Sequence, residues 1–245
     1  MKLSEVARKG IQVKQRLLRP YCAAVIVAAG SSSRMSGTNK ILARLGGLPV
    51  ICRTVDAFDR CAVIDEIIVV TQREMMEKIS RYCASYSKVR MIVAGGETRT
   101  QSVMAGVAAV SERTQLVAVH DGARPLVTDA VITRAAAKAA KFAAAAPAVR
   151  VKDTIKVSTD GAVDVTPDRS SLFAVQTPQV FDRELLEGAL ENAVQKKLSI
   201  TDDCSAVEAL GMPVQLTQGD EENLKITTPL DLEIAELIYR RRQDT

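Results

Sequence analysis

Short apolar runs alternate with segments of helical periodicity along the first half of the chain. Runs that no polar residue interrupts predict strands buried on both faces at 23–29 and 67–70, and further strands are predicted at 89–94 and 116–119. Apolar residues at helical spacing predict helices at 48–61, 73–84 and 101–110, and from a Thr128-Asp129 cap to about Ala144. This alternation is typical of an α/β fold with a doubly wound, mostly parallel sheet, whose ligands bind at the carboxyl ends of the strands.

The pattern changes near residue 147. Segments 148–151, 154–157 and 162–165 predict short extended stretches around an Asp160-Gly161 turn, which indicates a protruding β-arm at about 148–172. Later segments predict strands at 172–176 and 214–217 and helices at 183–195 and after Thr228-Pro229. Residues Thr201-Asp202-Asp203 predict the cap of another helix, which runs through Leu210. No internal repeat or linker is visible, so we expect one domain over residues 21–245. Residues 1–20 are basic and lack the apolar stretch of a secretory signal, and we expect them to form a flexible extension.

Composition restricts the class of partner. Aromatic residues make up 3% of the chain, with no Trp, which argues against the stacking platforms of single-stranded nucleic-acid binders. A net charge of +4 is too weak to indicate DNA or a membrane surface but suits a small polyanion. The five cysteines form no CxxC pair, so neither a zinc site nor a disulfide framework follows. We therefore expect a cytoplasmic protein with no nucleic-acid or membrane partner.

The first predicted strand ends in a loop of small residues that two cations follow. Residues 28–33 carry small side chains, so their backbone N–H groups can approach an anion closely. Arg34 and Lys40 then supply a planar donor fork and a mobile point charge, both suited to phosphate. The loop matches neither a Walker A motif nor GxGxxG, which disfavours a dinucleotide site. It predicts a nucleotide triphosphate site; the plainer alternative is a strand-to-helix turn with surface cations.

Two further loops follow predicted strands. The loop at 95–102 offers Gly96 and Ser102 to a base or ribose, although a turn with a helix cap would look similar. The next loop places Asp121 and Arg124 just past a strand, where the acid could bind substrate hydroxyls or a metal-bound phosphate. His120, the single histidine, has no evident Ser or Cys partner, so we interpret it as a structural imidazole rather than a triad base.

The cations of these and later loops suit one kind of ligand. Five of them are predicted to lie in loops: Arg34, Lys40, Arg124, Arg169 and Lys225. No activated protein nucleophile is visible, so the attacking group belongs to the substrate. Phosphoryl or nucleotidyl transfer needs mainly positioning and charge neutralisation, which these cations can supply.

Seven motifs, in order, carry a resemblance to a known family. They are AAGSSSRM with Lys40, GGETRTQSV, HDGARP, VKDTIK, DRSSLF…QTPQVF, TDDCSAVE and GDEENLKITTPLDL. From about Cys22 to Arg241 the chain resembles the 2-C-methyl-D-erythritol 4-phosphate cytidylyltransferases, which have a Rossmann-like nucleotidyltransferase fold. The resemblance implies attack by a methylerythritol phosphate oxygen on the α-phosphorus of CTP, with Mg²⁺ present and diphosphate leaving.

The resemblance also implies roles for individual residues. The catalytic cations would be Arg34, Lys40, Arg169 and Lys225. The nucleotide pocket would comprise Ala28, Ala29, Gly30, Ser32, Gly96, Ser102 and Gly122. The acceptor would be bound by Asp121, Arg124, Thr154, Arg169 and Thr177. Mg²⁺ would be held mainly by the CTP phosphates, with no protein ligand assigned. The arm would join a homodimer and bring Thr154 and Arg169 to the partner's site.

Two alternatives stay open at this point. A ribitol 5-phosphate cytidylyltransferase shares the motifs, because a branched tetritol and a linear pentitol differ by few contacts. A non-catalytic nucleotide-binding module would keep the first loop but would not need all the cations. The chain departs from the family at Ser32, where glycine is common, at Gly122, where alanine is usual, and in a loop before Lys40 that is about one residue short. We expect no cyclodiphosphate synthase domain after Arg241.

Overall fold

The structure, a computed structural model, describes residues 19–30 and 39–244. The predicted N-terminal extension therefore lies almost entirely outside the described residues, as do Ser32 and Arg34. Within the described ranges the strands are β1 Cys22–Ala28, β2 Arg44–Leu45, β3 Leu48–Pro49, β4 Glu66–Thr71, β5 Val89–Ala94, β6 Leu116–Asp121, β7 Ala144–Arg150, β8 Phe173–Val175, β9 Gln179–Asp182 and β10 Gln215–Gln218. The helices are α1 Val50–Arg60, α2 Met76–Cys83, α3 Arg99–Ala108, α4 Asp129–Phe142, α5 Arg183–Gln195, α6 Asp203–Glu208 and α7 Pro229–Gln243.

The main sheet has eight strands and is mostly parallel. Its path runs β10-β7-β9-β6-β1-β4-β5, with β8 paired to β7, while β2 and β3 form a separate hairpin. β1 lies parallel to both β4 and β6, and β4 lies parallel to β5. The chain therefore winds from β1 outward in one direction through β4 and β5, and then returns to place β6 on the other side of β1. This reversal beside β1 is a topological switch point, where open α/β sheets bind ligands.

Two hydrophobic layers explain why β1 is apolar throughout. Ala24 and Ile26 pack into a core with α1, α2 and α4, whereas Ala23 and Val25 pack into a second core with α3, α5 and α6. Successive side chains of a strand point to opposite faces, so a strand covered by helices on both faces needs apolar residues at every position. This arrangement confirms the doubly wound α/β fold.

The long alanine-rich helix ends earlier than predicted. α4 stops at Phe142 rather than at about Ala144, because Ala143 adopts a left-handed conformation with φ 68°. β7 begins at the next residue and runs to Arg150, where only residues 148–151 had been expected to be extended. Alanine favours helix locally, but pairing of this segment with β9 and β10 prevails.

The arm is less regular than predicted, and the strand β9 was not predicted. Segments 154–157 and 162–165 are not strands; they meet only in an isolated antiparallel bridge between Val157 and Val165. β9 inserts antiparallel between β6 and β7, in a segment for which the sequence predicted no strand. The sheet is therefore mixed on this side.

The terminal helix packs on the small hairpin. Leu45 at the end of β2 and Ala235 in α7 are fully buried in a third cluster with Ile226. Thr228 caps α7 by accepting a hydrogen bond from the Asp231 N–H, and Pro229 occupies the first turn, as predicted. Helices long and apolar enough to cross a membrane do not occur among the described residues.

Candidate active site

A cavity of about 380 Å³ opens at the carboxyl ends of the parallel strands. Its wall combines the end of β1 at Ala28, Gln72 after β4, Gly96 after β5 and Asp121 at the end of β6. The cavity thus lies at the switch point beside β1. Of the residues predicted for the site, those that line it are Ala28, Ala29, Gly30, Lys40, Gly96, Ser102, Asp121 and Lys225.

The loop after β5 is held rigidly against α3. Thr98 accepts a hydrogen bond from the Gln101 N–H, and the Gln101 side chain accepts from the N–H groups of Glu97 and Thr98. The Ser102 hydroxyl donates to the Thr98 carbonyl at 2.9 Å. This capping box satisfies the free N–H groups of the helix start and fixes the backbone that lines the cavity.

Glycine is required where this loop approaches β1. A Cβ on Gly95 would lie 2.5 Å from the Ala29 Cβ and 2.7 Å from the Ser102 Oγ. The Gly95 N–H also donates to the Thr71 carbonyl at the end of β4. The close contact of two strand ends on the cavity wall therefore depends on a residue without a side chain.

Asp121 lies among three cations. The Lys225 ammonium is 2.9 Å from Asp121 Oδ2, and the Arg124 Nε is 3.5 Å from the same oxygen. The Arg99 Nε is 3.8 Å from the other oxygen, Oδ1. Burial disfavours the charged carboxylate, but Lys225, Arg99 and Arg124 outweigh burial and lower the pKa of Asp121 to about 2. Asp121 is thus a carboxylate at neutral pH.

Arg99 also forms a bidentate ion pair beneath the cavity. Its Nη1 and Nη2 atoms donate to the two carboxylate oxygens of Asp203 at 2.9 and 2.8 Å. The Asp203 side chain is 1% exposed, and its backbone N–H donates to Gln179 Oε1. Burial raises the pKa of Asp203, an effect that Arg99 opposes. The cap of α6 is Asp202, as predicted, whereas Asp203 has this separate role.

His120 is a buried, neutral part of the scaffold, as the sequence indicated. Thr177 Oγ1 accepts the Asp121 N–H at 3.1 Å and lies 2.9 Å from His120 Nδ1, while His120 Nε2 donates to the Arg124 carbonyl. One tautomer, protonated on Nε2, satisfies this whole series of hydrogen bonds. Burial lowers the pKa of His120 to about 4. Thr177 therefore lies behind Asp121, where it holds the end of β6.

Gly122 and Arg124 lie beside the cavity and do not line it. The Gly122 N–H donates to the Val27 carbonyl, and its carbonyl accepts from the Thr54 hydroxyl. Arg124 Nη1 donates to the Asn223 carbonyl, in the segment that leads to Lys225. These contacts support the strand ends, so the predicted ligand contacts of Gly122 and Arg124 stay predictions.

Two predicted acceptor residues lie on the arm, apart from this cavity. Thr154 and Arg169 are both exposed, and Arg169 Nη1 donates to the Lys152 carbonyl. Ser32 and Arg34 fall outside the described residues, as does most of the loop between Met35 and Lys40.

Sequence reasoning missed several residues of the site. Arg99 was not singled out although it belongs to the GGETRTQSV motif, and Asp203 was absorbed into a helix-cap interpretation. Gln72, Glu97 and Thr98 also line the cavity. The sequence held one signal for Arg99: it is a charged residue directly after a helix cap, close to a loop that follows a strand.

The described residues do not form a metal centre of their own. Groups of three or more His, Cys, Asp or Glu side chains able to hold a metal ion are not found within residues 19–30 and 39–244. Of the two acidic residues that line the cavity, Glu97 and Asp121, Asp121 is already engaged by Lys225. A divalent ion at this site would need most of its oxygen ligands from a bound molecule.

Comparisons with known proteins agree with this geometry. The sequence model of the 2-C-methyl-D-erythritol 4-phosphate cytidylyltransferase family matches residues 22–241. A protein of that name from Caldanaerobacter subterraneus subsp. tengcongensis is 46% identical over 89% of this chain and 98% of its own length. Another from Symbiobacterium thermophilum is 45% identical over 87% of this chain and 91% of its own length.

Solved structures give the same result. The crystal structure of 4-diphosphocytidyl-2C-methyl-D-erythritol synthase from Anaerococcus prevotii superposes with a TM-score of 0.82 at 31% identity, covering 91% of this chain and 97% of that one. Both the fold and the motif-bearing length are therefore shared. The chain belongs to the 2-C-methyl-D-erythritol 4-phosphate cytidylyltransferase family.

Proposed function

We propose that the chain transfers the cytidylyl group of CTP to 2-C-methyl-D-erythritol 4-phosphate, releasing diphosphate and 4-diphosphocytidyl-2-C-methyl-D-erythritol. The observation that carries this proposal is that Lys40, Lys225 and Asp121 line one cavity at the switch point of a chain that matches the family along most of its length. The cations suit a triphosphate, and the carboxylate suits a polyol.

The reaction needs no nucleophile from the protein. An oxygen of the acceptor phosphate attacks the α-phosphorus, a new P–O bond forms, and the bond to the oxygen bridging the α- and β-phosphates breaks, so that diphosphate leaves. Negative charge accumulates on the phosphoryl oxygens, and preorganised cations stabilise such charge most effectively in a partly enclosed site. Lys40 and Lys225 supply this stabilisation in the proposal, with Arg34 as a third cation.

The two halves of the cavity suit the two substrates. The loop at Gly96 presents rigid backbone groups to the cytosine, and backbone donors and acceptors can exclude a purine by shape. Asp121 accepts hydrogen bonds from the hydroxyl groups of the polyol phosphate. Its low pKa keeps it a carboxylate, and therefore a hydrogen-bond acceptor, at neutral pH.

We propose that Mg²⁺ enters with the nucleotide rather than occupying a protein site. The lack of a suitable donor cluster in the described ranges supports this, because triphosphate oxygens can supply the ligands that the protein does not. Bound in this way, the ion would neutralise phosphate charge.

We further propose a homodimer in which the arm completes the partner's site. Apolar side chains of the arm are unusually exposed, with Val163 58% and Val165 53% accessible, and Thr154 and Arg169 lie outside the chain's own cavity. The variants Lys225→Ala and Arg169→Ala, each inactive alone, should recover about a quarter of parental activity when mixed, because half the dimers then hold one intact site. Mixtures no more active than the separate variants would contradict an arm that acts in trans.

A cytoplasmic location is part of the proposal. All five cysteines are free and buried, and unpaired thiols are typical of proteins from reducing compartments.

Diphosphate release with defined substrates tests the proposed function. The chain should release diphosphate from CTP with methylerythritol 4-phosphate, and much more slowly when UTP or ATP replaces CTP. Ribitol 5-phosphate, offered separately, should be a poor acceptor. Turnover with ribitol 5-phosphate alone would overturn the acceptor assignment, and turnover with neither would favour a binding module.

A further inference from the structure

Arg99 contacts two carboxylates of the site, Asp121 and Asp203, from the start of the helix that follows the loop at Gly96. It is the first residue of α3, it pairs with Asp203 beneath the cavity, and its Nε faces Asp121. We propose that Arg99 is a positioning residue that couples the nucleotide loop at Gly95–Thr98 to the acceptor-binding carboxylate of Asp121, with Asp203 as its anchor. This inference rests on the proposed function, since it assigns those two elements to the two substrates.

The anchor is built to hold the guanidinium in one orientation. Both terminal nitrogens of Arg99 are used by the two oxygens of Asp203, and a bidentate pair fixes the plane of the guanidinium. Asp203 is in turn fixed, because Gln179 Oε1 accepts the N–H groups of Asp203 and Cys204, and Gln179 Nε2 donates to Asp202. The Nε of Arg99 remains directed toward Asp121.

The two oxygens of Asp121 face different cations. Lys225 and Arg124 lie nearer Oδ2, whereas Arg99 lies nearer Oδ1. Lys225 is 39% exposed and is itself proposed to contact phosphate, so its contact with Asp121 changes when substrate binds. Arg124 is held by the Asn223 carbonyl and Arg99 by a buried carboxylate, so both guanidinium groups are fixed by the protein itself, and the one nearer Oδ1 is Arg99. It therefore sets the orientation of the Asp121 carboxylate throughout the reaction.

Arg99 is also covalently continuous with the nucleotide loop. Thr98 is the N-cap directly before it, and the N–H groups of Glu97 and Thr98 are tied to Gln101 within the same helix start. A shift of Arg99 therefore moves the loop that carries Gly96 as well as the charge beside Asp121. Loss of the Arg99–Asp203 pair should therefore impair binding of both substrates. If the pair only stabilised the fold, its loss would impair binding of neither.

The test compares steady-state kinetics of variants of this pair with those of a second, remote pair. Arg99→Gln removes the charge, and Asp203→Asn keeps the volume but loses the bidentate anchor. Arg90→Gln is the matched control, because Arg90 pairs at 3.1 Å with the buried carboxylate of Glu66 at the opposite, amino end of the sheet. Thermal unfolding of each variant reports on stability separately from KM.

We expect Arg99→Gln to raise the KM for CTP and the KM for the acceptor about tenfold or more each, as loss of a charge-assisted hydrogen bond does. Asp203→Asn should also raise both KM values. Arg90→Gln should leave both KM values within about twofold of the parental ones, as expected for a change remote from the site. If Arg99→Gln does not fold, Arg99→Lys is the test variant. A lysine cannot contact the carboxylates of Asp121 and Asp203 at the same time, so at least one of the two KM values should rise.

Parental KM values for both substrates in the folded Arg99 variants would overturn the coupling. Equal increases in Arg90→Gln would also overturn it by showing a general effect of stability. Calorimetric binding of CTP to the same variants needs no turnover, so a parental chain that binds CTP but releases no diphosphate would count against the proposed function and not against the coupling.

Discussion

The Lys225 ammonium lies 2.9 Å from Asp121 Oδ2, although the two residues come from distant parts of the sequence. Asp121 ends β6, and Lys225 belongs to the segment that leads into α7. The Arg124 contact with the Asn223 carbonyl and the Ile226 N–H contact with the Ala123 carbonyl bring that segment to β6. The pair places a cation and an anion side by side on the cavity wall, where phosphate and polyol meet in the proposed reaction.

Replacing Lys225 should affect catalysis far more than stability. We expect Lys225→Met to lower kcat by about 10²–10³-fold, as loss of one preorganised transition-state contact does. The side chain is 39% exposed and Asp121 keeps Arg99 and Arg124, so the unfolding temperature should change little. Assays of product formation measure the change in kcat, and thermal unfolding measures the change in stability.

Lys88→Met is the control for this change. Lys88 precedes β5 at the opposite end of the sheet, and its ammonium donates to the Cys61 carbonyl. This variant should keep parental kcat. A Lys225→Met enzyme with near-parental kcat would show that Lys225 has no role in the chemistry.

The carboxylate of Asp121 should stabilise the fold in a defined pH range. Its folded pKa of about 2 lies below the ordinary 3.8, so its contribution is complete above pH 4 and is lost as the pH falls toward 2. In Asp121→Asn the three cations lose their partner. We expect the difference in unfolding free energy between parent and variant to shrink by roughly 2 kcal/mol between pH 4 and 2. Urea titrations at several pH values measure it, and a constant difference would contradict the assigned pairing.

His120 should make stability pH-dependent at higher pH than Asp121. Its folded pKa of about 4 lies below the ordinary 6.5, so the unfolded chain takes up the proton first as the pH falls. The free energy of unfolding should therefore decrease between pH 6.5 and 4, by roughly 3 kcal/mol if the whole shift is expressed. His120→Gln should lose this slope, and because the chain has a single histidine the comparison is direct. An unchanged slope in the variant would assign the effect to other groups.

Gly95 should tolerate no side chain. Gly95→Ala brings a Cβ within 2.5 Å of Ala29 and 2.7 Å of Ser102, so β1 and α3 must separate at the cavity wall. We expect a loss of about 1–3 kcal/mol in stability, the usual effect of overpacking, together with a higher KM for CTP.

Gly188→Ala is the opposite case. Gly188 lies inside α5, and an added Cβ would meet nothing within 4 Å. This change should stabilise the fold by about 0.5–1 kcal/mol through helix propensity alone and leave KM unchanged. A Gly95→Ala variant as stable and as active as Gly188→Ala would refute the close contact of the strand ends.

The sequence predicted the central sheet better than its edges. β1, β4 and β6 are buried on both faces, so their apolar runs are uninterrupted and easy to recognise. β9 has four residues with polar ends, and only its insertion between β6 and β7 makes it a strand. Ala143 and Ala144 favour helix by composition, and pairing in the sheet overrides that preference.

The site shows the same contrast. Glycines, hydroxyls and cations after strands marked the loops that converge, because parallel strands place their carboxyl ends together. The partners of those cations were not readable. Arg99 and Asp203 are distant in sequence, and each has an ordinary interpretation beside a helix cap, so only the folded chain reveals their pair.

The fate of the α-phosphorus tests the central claim most directly. CTP labelled at the α-phosphate is incubated with the chain, Mg²⁺ and methylerythritol 4-phosphate, and the products are separated. We predict that the label appears in a sugar diphosphocytidyl product, whereas label placed at the γ-phosphate appears only in diphosphate. Label that stays in CTP or CMP, or that is transferred only when ribitol 5-phosphate replaces methylerythritol 4-phosphate in a parallel incubation, would contradict the account.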